Sequence, residues 1–375
     1  MRALFVAAPE RDAVLPMVPA AQAVRRAGHE VFVAGVAGVM PALTSAGLTG
    51  IPVSMKTLED CRTDRRGENV AVPPHGHEHQ LALGRMHGRL AADCLPGLAT
   101  LARQWTPDVV VAAAHAYAAP LVAHDLGVPW VRFATDLAEP LVTDLAAIAE
   151  LGPELEQAGL YEMPLPMLTI SVSPPSLRPA DARPALLARP LPYDTQVTAE
   201  PWMYTAERGP RVLVSLATDV LADALPGLAE LDAEVVVALQ DGDTGELPPL
   251  PEHVRAARVP LDVVAPTCAA VVHDGARQTV LTCLATGVPQ VCVPRDPAMA
   301  YHCEQLAAAG VGAVVSPSPT LGEEAARACR QVLAEPSFRA AAERVREEIH
   351  GMERLPVIAA ELERVAASVP TSARS

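Results

Sequence analysis

The stretch from Cys268 to Pro294 constrains the fold of this chain more than any other. An apolar run, Cys268 to Val272, breaks at His273 and Gly275, and Thr279 to Thr286 then reads as a short helix stopped by Gly287 and Pro289. Gln290-Val-Cys-Val293 resumes an apolar strand. In a parallel α/β domain, the loop at the carboxyl end of a strand aims helix N–H groups at a ligand, often a phosphate. The loop His273-Asp274-Gly275-Ala276-Arg277-Gln278-Thr279 is therefore the first candidate site.

The beginning of the chain repeats the pattern. Residues 2–8 form an apolar strand, Pro16 to Gly28 have apolar residues at helical spacing, and Val31-Phe-Val-Ala34 is a second strand. A β-α-β unit of this kind requires a parallel sheet and a right-handed crossover. From Val36 to about Glu78 glycines and prolines predict a long loop region, and Leu81 to Trp105 returns to helix, with Leu81, Leu90, Cys94, Leu98 and Leu101 in a buried stripe. Pro107–Val111, Trp130–Phe133 and Leu168–Val172 read as further strands, the last of them closing the first domain. After a proline-rich connection, Arg211–Leu216 and Glu234–Leu239 restart the series, and Pro336 to about Ala367 reads as one long amphipathic helix before a polar tail.

At 375 residues the chain is long enough for two domains with substantial cores. No apolar run is long enough to span a bilayer, and Met1–Ala8 reads better as a first buried strand than as a signal peptide, so a soluble cytoplasmic protein is expected. The net charge of −15 argues against nucleic acid, which needs a basic footprint. Seven cysteines lack metal or redox spacing and are expected as reduced thiols.

Met1-Arg-Ala-Leu-Phe-Val6, Pro16-Met-Val-Pro19 and Arg26-Ala-Gly-His-Glu-Val31 resemble the first unit of the family-1 glycosyltransferases that decorate antibiotics. Val259-Pro-Leu-Asp262, the Cys268–Thr279 loop, Gly287-Val-Pro-Gln290 and Glu304 to Gly310 follow in that family's order. The resemblance covers essentially the whole chain. It implies the GT-B fold: two Rossmann-like α/β domains facing across a cleft, the acceptor on the first and the nucleotide-sugar on the second, with the last helix crossing back. The expected bounds are 1–200 for the acceptor-side domain, 201–355 for the donor-side domain, and 356–375 for the end of the crossing helix and the tail.

Set against that family pattern, the chemical positions are altered. A transferase needs a base for the acceptor and a cradle for the departing diphosphate. The slot of the family's histidine is Ala13, and that of the aspartate orienting it is Ala113. In the phosphate loop His273, Gly275 and Thr279 are kept, His273 being the residue implied to touch phosphate, but a glycine has become Gln278 and Asp274 adds a negative charge. Asp219 stands in the first strand-loop of the second domain, Ala298-Met299 at the sugar-binding pair, and Arg258 at the base-stacking aromatic. A carboxylate at about 5 Å and an effective dielectric of about 20 costs roughly 3 kcal/mol, enough to weaken diphosphate binding on the order of a hundredfold. Arg277 offsets part of that.

Replacement acid/base groups are sought in the first domain. Glu10-Arg11-Asp12 follows the first strand, where open α/β sheets place their sites, with Asp12 the best base, Glu10 its neighbour and Arg11 either a substrate contact or a partner of the acids. His115 follows the Pro107–Val111 strand and reads equally as a substitute base or a core histidine. His75, His77 and His79 alternate in a flexible stretch; extended, they would share one side, yet no further ligand completes a metal set, and a cleft-facing base, a substrate contact or a plain surface loop fits better. Asp136 and Glu139 are further substrate-side candidates.

Three functions follow, in this order. The first is a glycosyltransferase-like protein of polyketide-type antibiotic biosynthesis with a decayed nucleotide-sugar site, repurposed for cofactor-free acid/base chemistry on a hydrophobic intermediate. The second is an active dTDP- or UDP-sugar transferase acting on a polyketide aglycone, the one reading that needs a nucleotide-sugar. The third is a non-catalytic partner of an active homologue. A small hydrophobic natural product is the expected ligand, with no metal, no nucleic acid and no membrane; homodimerisation is left open.

Overall fold

The computed structural model describes residues 1–369 apart from 75, 138–139, 181, 194–196, 207–208, 240–249 and 296. The chain forms two compact units, the first made of Met1–Ser173, Pro179–Arg189 and Glu353–Ser375, the second of Pro174–Arg178 and Pro190–Met352.

In the first unit the strands are β1 (Arg2–Val6), β2 (Glu30–Val36), β3 (Gly50–Ser54), β4 (Val109–Ala113), β5 (Trp130–Ala134), β6 (Leu168–Ser171) and β7 (Leu186–Leu187). They lie in the order β3-β2-β1-β4-β5-β6-β7, every neighbouring pair parallel. The second unit has β8 (Arg211–Ser215), β9 (Glu234–Ala238), β10 (Val254–Ala257), β11 (Ala270–His273), β12 (Gln290–Cys292) and β13 (Gly312–Val314), all parallel in the order β10-β9-β8-β11-β12-β13. Both sheets are doubly wound, with a switch in strand order between β1 and β4 and again between β8 and β11. Strands covered on both faces explain the unbroken apolar runs: Val109, Val110 and Val111 are fully buried, as are Val235, Val236 and Val237.

Three expectations change. The region after Val36 is not one long loop, because Gly50–Ser54 adds the edge strand β3 beside β2. Pro52 is tolerated there, since an edge strand leaves one side unpaired. Leu168–Ser171 is followed by one more strand, β7, so it does not close the sheet. The last helix is two, Pro336–Gly351 and Leu355–Ala367. They separate because the chain between them pairs with β7: the Glu353 N–H donates to Leu187 O at 2.9 Å and its carbonyl accepts from Arg189 N at 2.8 Å, Arg354 is extended, and Pro356 is tolerated in the first turn of the new helix. The second helix packs on Val18–Arg26, and His29 Nε2 meets Glu363 Oε1 at 2.6 Å.

A 30-residue helix, Gly76–Trp105, follows the β3 edge strand in the chain. It lies against the Leu141–Glu150 helix through Gly84 and Gly88, where an added Cβ would stand 2.5 Å from Thr143 O or 2.7 Å from Ala147 O. Larger residues would push the helices apart, so the glycines fix where His87, between them on the same helix, enters the unit. None of the described helices is long and apolar enough to cross a membrane.

Candidate functional site

Ligands of doubly wound sheets bind outside the carboxyl ends of the strands where the order switches. In the first unit that point lies between β1 and β4. Glu10 follows β1, His115 follows β4, and His87 reaches the same place from the Gly76–Trp105 helix. Glu10 Oε1 stands 3.4 Å from His87 Nε2, the rings of His87 and His115 are 4.5 Å apart, and one ligand atom of each residue lies within 4.8 Å of the others. His87 is buried, while Glu10 and His115 are half-buried. The Nε2 of His115 is shielded from solvent and has no hydrogen-bond partner among the described residues. A cavity of about 30 Å³, lined by His87, His115, Tyr117 and Cys94 among others, adjoins the two rings.

A second polar group adjoins the first. The Tyr117 ring lies 6.3 Å from both histidine rings, and its hydroxyl donates to Asp144 Oδ1 at 2.6 Å. Arg132 Nη2 holds the other oxygen of Asp144 at 3.0 Å. Burial first, and then the Asp144 carboxylate, push the Tyr117 phenol well above its ordinary pKa, so it serves as a donor and not as a base. Asp136 is buried beyond the end of β5, where its carbonyl accepts from Ser173 Oγ at 2.6 Å.

Glu10 meets His87, and Asp12 lies in the first turn of the short Arg11–Val14 helix, which turns the chain one residue after Glu10. Arg11 is exposed. His77 and His79 are in the first turn of the Gly76–Trp105 helix, not in an extended loop. Two residues apart on a helix point about 200° apart, so the alternation no longer gathers them. His77 is exposed, and His79 Nδ1 is held by Pro73 O at 2.6 Å. His75 and Glu139 lie outside the described residues. His87 went unremarked in the sequence, although its spacing from Leu90, Cys94 and Leu98 puts it on the buried stripe.

In the second unit the switch lies between β8 and β11, and the loop from Asp274 to Arg277 leads from β11 into the Arg277–Thr286 helix. His273, expected to touch phosphate, is held within the protein. It is fully buried, with Nε2 on Gln290 Oε1 at 2.8 Å and Nδ1 accepting from Gly275 N at 3.0 Å, so both ring nitrogens are engaged within the protein. Burial holds its pKa below the ordinary value, partly opposed by the Asp274 charge and the Gln290 bond. Asp274 is buried as well, but not bare: Arg295 Nε donates to its Oδ2 at 3.0 Å, and Ala276 N donates to its Oδ1 at 3.2 Å. Gln278 turns inward, its amide donating to Tyr193 O. Thr279 is buried behind it, Arg277 is half-buried, and Asp219 is exposed in the first turn of the Thr218–Leu228 helix. Gly275 has φ +94°, and a Cβ there would lie 2.9 Å from Cys303 Sγ.

Residues 22–217 match the family described as erythromycin biosynthesis protein CIII-like, N-terminal domain, and residues 222–364 match its C-terminal domain. The chain belongs to this family. It is 32% identical over 326 residues to L-demethylnoviosyl transferase of Streptomyces niveus, covering 83% of this chain and 84% of that protein. It is 31% identical over 371 residues to tylactone mycaminosyltransferase of Streptomyces fradiae, covering 84% and 82%. Among solved structures, glycosyltransferase SsfS6 of Streptomyces sp. SF2575 complexed with thymidine diphosphate aligns with a TM-score of 0.87 at 32% identity, over 97% of this chain and 99% of that one. Spinosyn rhamnosyltransferase SpnG complexed with spinosyn aglycone aligns with a TM-score of 0.84 at 26% identity, over 97% and 100%. The two Rossmann-like units are those of a GT-B antibiotic glycosyltransferase.

Proposed function

We propose that this chain transfers a sugar from a dTDP- or UDP-linked donor to a hydrophobic, polyketide-type aglycone, with Glu10 taking the acceptor proton. The observation that carries this reading is the convergence of Glu10, His87 and His115 at the switch point of the first unit. The slot of the family's histidine, Ala13, is buried and offers no base. Glu10 stands three residues earlier, in the same turn after β1, and is the more exposed member of its pair, with a side chain 30% accessible against 3% for His87. A carboxylate oriented by a neighbouring imidazole suits proton abstraction from an acceptor hydroxyl. The acceptor oxygen then bonds to the anomeric carbon as the bond from that carbon to the diphosphate breaks.

The donor side supports the same reading. The charge expected to repel a diphosphate is paired: Asp274 faces Arg295, so the local sum is near neutral and the N–H groups opening the Arg277–Thr286 helix remain to stabilise the leaving group. The SsfS6 structure with thymidine diphosphate and the SpnG structure with spinosyn aglycone give the ligand classes to try.

A second reading, cofactor-free acid/base chemistry on a biosynthetic intermediate, draws support from Gln278, whose side chain fills the place of a glycine at the start of the helix. Calorimetry with dTDP and UDP separates the two. Micromolar binding together with sugar transfer to an aglycone panel is expected, and transfer should fail in Glu10→Gln. No nucleotide binding, with turnover of an intermediate in the absence of any sugar donor, would establish the second reading. Neither activity, together with stimulation of an active homologue, would identify a non-catalytic partner.

A further inference from the structure

The same three side chains have the composition and placement of a metal site. Two imidazoles and one carboxylate are a ligand set for a divalent transition metal and not for Mg²⁺ or Ca²⁺, which prefer all-oxygen shells. Glu10, His87 and His115 come from three separate elements, so their approach is set by the fold and not by neighbours along the chain. The separation of Glu10 Oε1 and His87 Nε2, 3.4 Å, is the edge of a tetrahedron whose metal–ligand bonds are about 2.0–2.1 Å. His115 supplies the third corner. Its Nε2 is shielded and has no hydrogen-bond partner among the described residues, and one ring nitrogen of each histidine and a Glu10 oxygen fall within 4.8 Å of one another. His115 sits in the turn after β4, where rotation of its side chain can close the remaining gap, whereas His87 is anchored mid-helix.

The adjoining cavity of about 30 Å³ matters as much as the ligands. A water needs roughly 10–15 Å³ of such space. One water in a fourth position beside the two imidazoles therefore fits without displacing the core.

We propose that Glu10, His87 and His115 bind one divalent transition-metal ion of the Zn²⁺ class, with three protein ligands and one open position. The binding claim stands on this geometry alone. Its effect on activity rests on the function proposed above: an ion on the Glu10 carboxylate removes the group that accepts the acceptor proton, so the metal inhibits transfer, and a chelator restores it.

The test is calorimetric titration of the chelator-treated full chain with ZnCl₂, alongside the visible absorption of the Co²⁺ form. One equivalent of Zn²⁺ is expected to bind in the low-micromolar range or tighter, with Co²⁺ bands of four-coordinate intensity and no response to MgCl₂. His115→Ala should weaken Zn²⁺ binding at least a hundredfold and abolish the Co²⁺ bands. Glu10→Gln should do the same without emptying the core, which guards against a folding defect in either variant. Cys94→Ser, which removes a thiol lining the cavity, should leave both signals intact. Absence of stoichiometric Zn²⁺ binding, equal binding of Mg²⁺, or binding that survives both His115→Ala and Glu10→Gln overturns the proposal. The two proposals fail separately: Zn²⁺ binding in a chain that never transfers sugar sinks only the function, and transfer without Zn²⁺ binding sinks only the metal site.

Discussion

Arg295 Nε donates to Asp274 Oδ2 at 3.0 Å, and this contact determines the charge that the loop after β11 presents to a ligand. The carboxylate is almost inaccessible while the guanidinium side chain is 41% accessible, so removing the arginine leaves a buried, uncompensated negative charge. At about 5 Å from a diphosphate and an effective dielectric of about 20, that charge is worth roughly 3 kcal/mol. Arg295→Ala is therefore expected to weaken dTDP binding about a hundredfold by calorimetry. Adding Asp274→Asn to it should restore most of the loss, the signature of a coupled pair.

Glu10 and Asp12 give a contrast within one turn. If Glu10 accepts the acceptor proton, Glu10→Gln should lower kcat for sugar transfer by about 10²–10⁴, the usual contribution of a general base. Asp12→Asn should change kcat severalfold at most. The reverse order would return the base to Asp12.

His273 predicts a pH dependence of stability. Burial lowers its folded-state pKa below the unfolded value of about 6.5. The unfolded chain therefore takes up a proton first as pH falls, and stability is full above about pH 6.5 and declines toward the folded pKa. His273→Gln should reduce the slope of stability against pH in denaturant melts between pH 7 and 5. An unchanged slope would mean that His273 takes up its proton as readily in the folded protein as in the unfolded chain.

Gly275 is needed for two reasons at once, its φ of +94° and its distance from Cys303. Gly275→Ala should cost about 1–3 kcal/mol from backbone conformation alone, with the contact adding to it. A lower Tm by thermal denaturation is the readout. Cys303→Ala should recover only the steric part.

Arg211 is fully buried at the start of β8, where Nε meets Glu234 Oε2 at 2.8 Å, Nη1 meets Thr267 Oγ1 at 2.7 Å and Nη2 meets Thr205 O at 2.8 Å. Cutting one partner out of a buried pair costs about 3–5 kcal/mol. Arg211→Met should destabilise the second unit by that order in chemical denaturation, without altering zinc binding by the first.

The sequence was readable where apolar runs and helical spacing agree, as in Arg2–Val6, the Val18–Arg26 helix and Val109–Ala113. It was less so at Gly50–Ser54, where Gly50 and Pro52 mask a strand that exists because β2 offers it a pairing edge. The candidate site was legible by half. Glu10 and His115 could be placed at strand ends from local pattern alone. His87 could not, because its place depends on a helix that begins only at Gly76, far along the chain, bringing it beside the residues that follow β1 and β4, although a titratable residue on an apolar stripe was a usable signal. Asp274 was misjudged for a related reason: its partner Arg295 is 21 residues away in sequence, and charge compensation at that distance is a property of the folded loop.

The helix Leu355–Ala367 belongs to the first unit although the chain reaches it only after completing the second. The first unit is therefore built from segments that lie on both sides of the second in the sequence. A chimera with a relative made at one crossover near Pro190 would seat a foreign terminal helix on the Val18–Arg26 surface, and its His29–Glu363 contact would be left to chance. Exchanging the whole first unit between such proteins calls for two breakpoints, near Arg189 and near Glu353, made together.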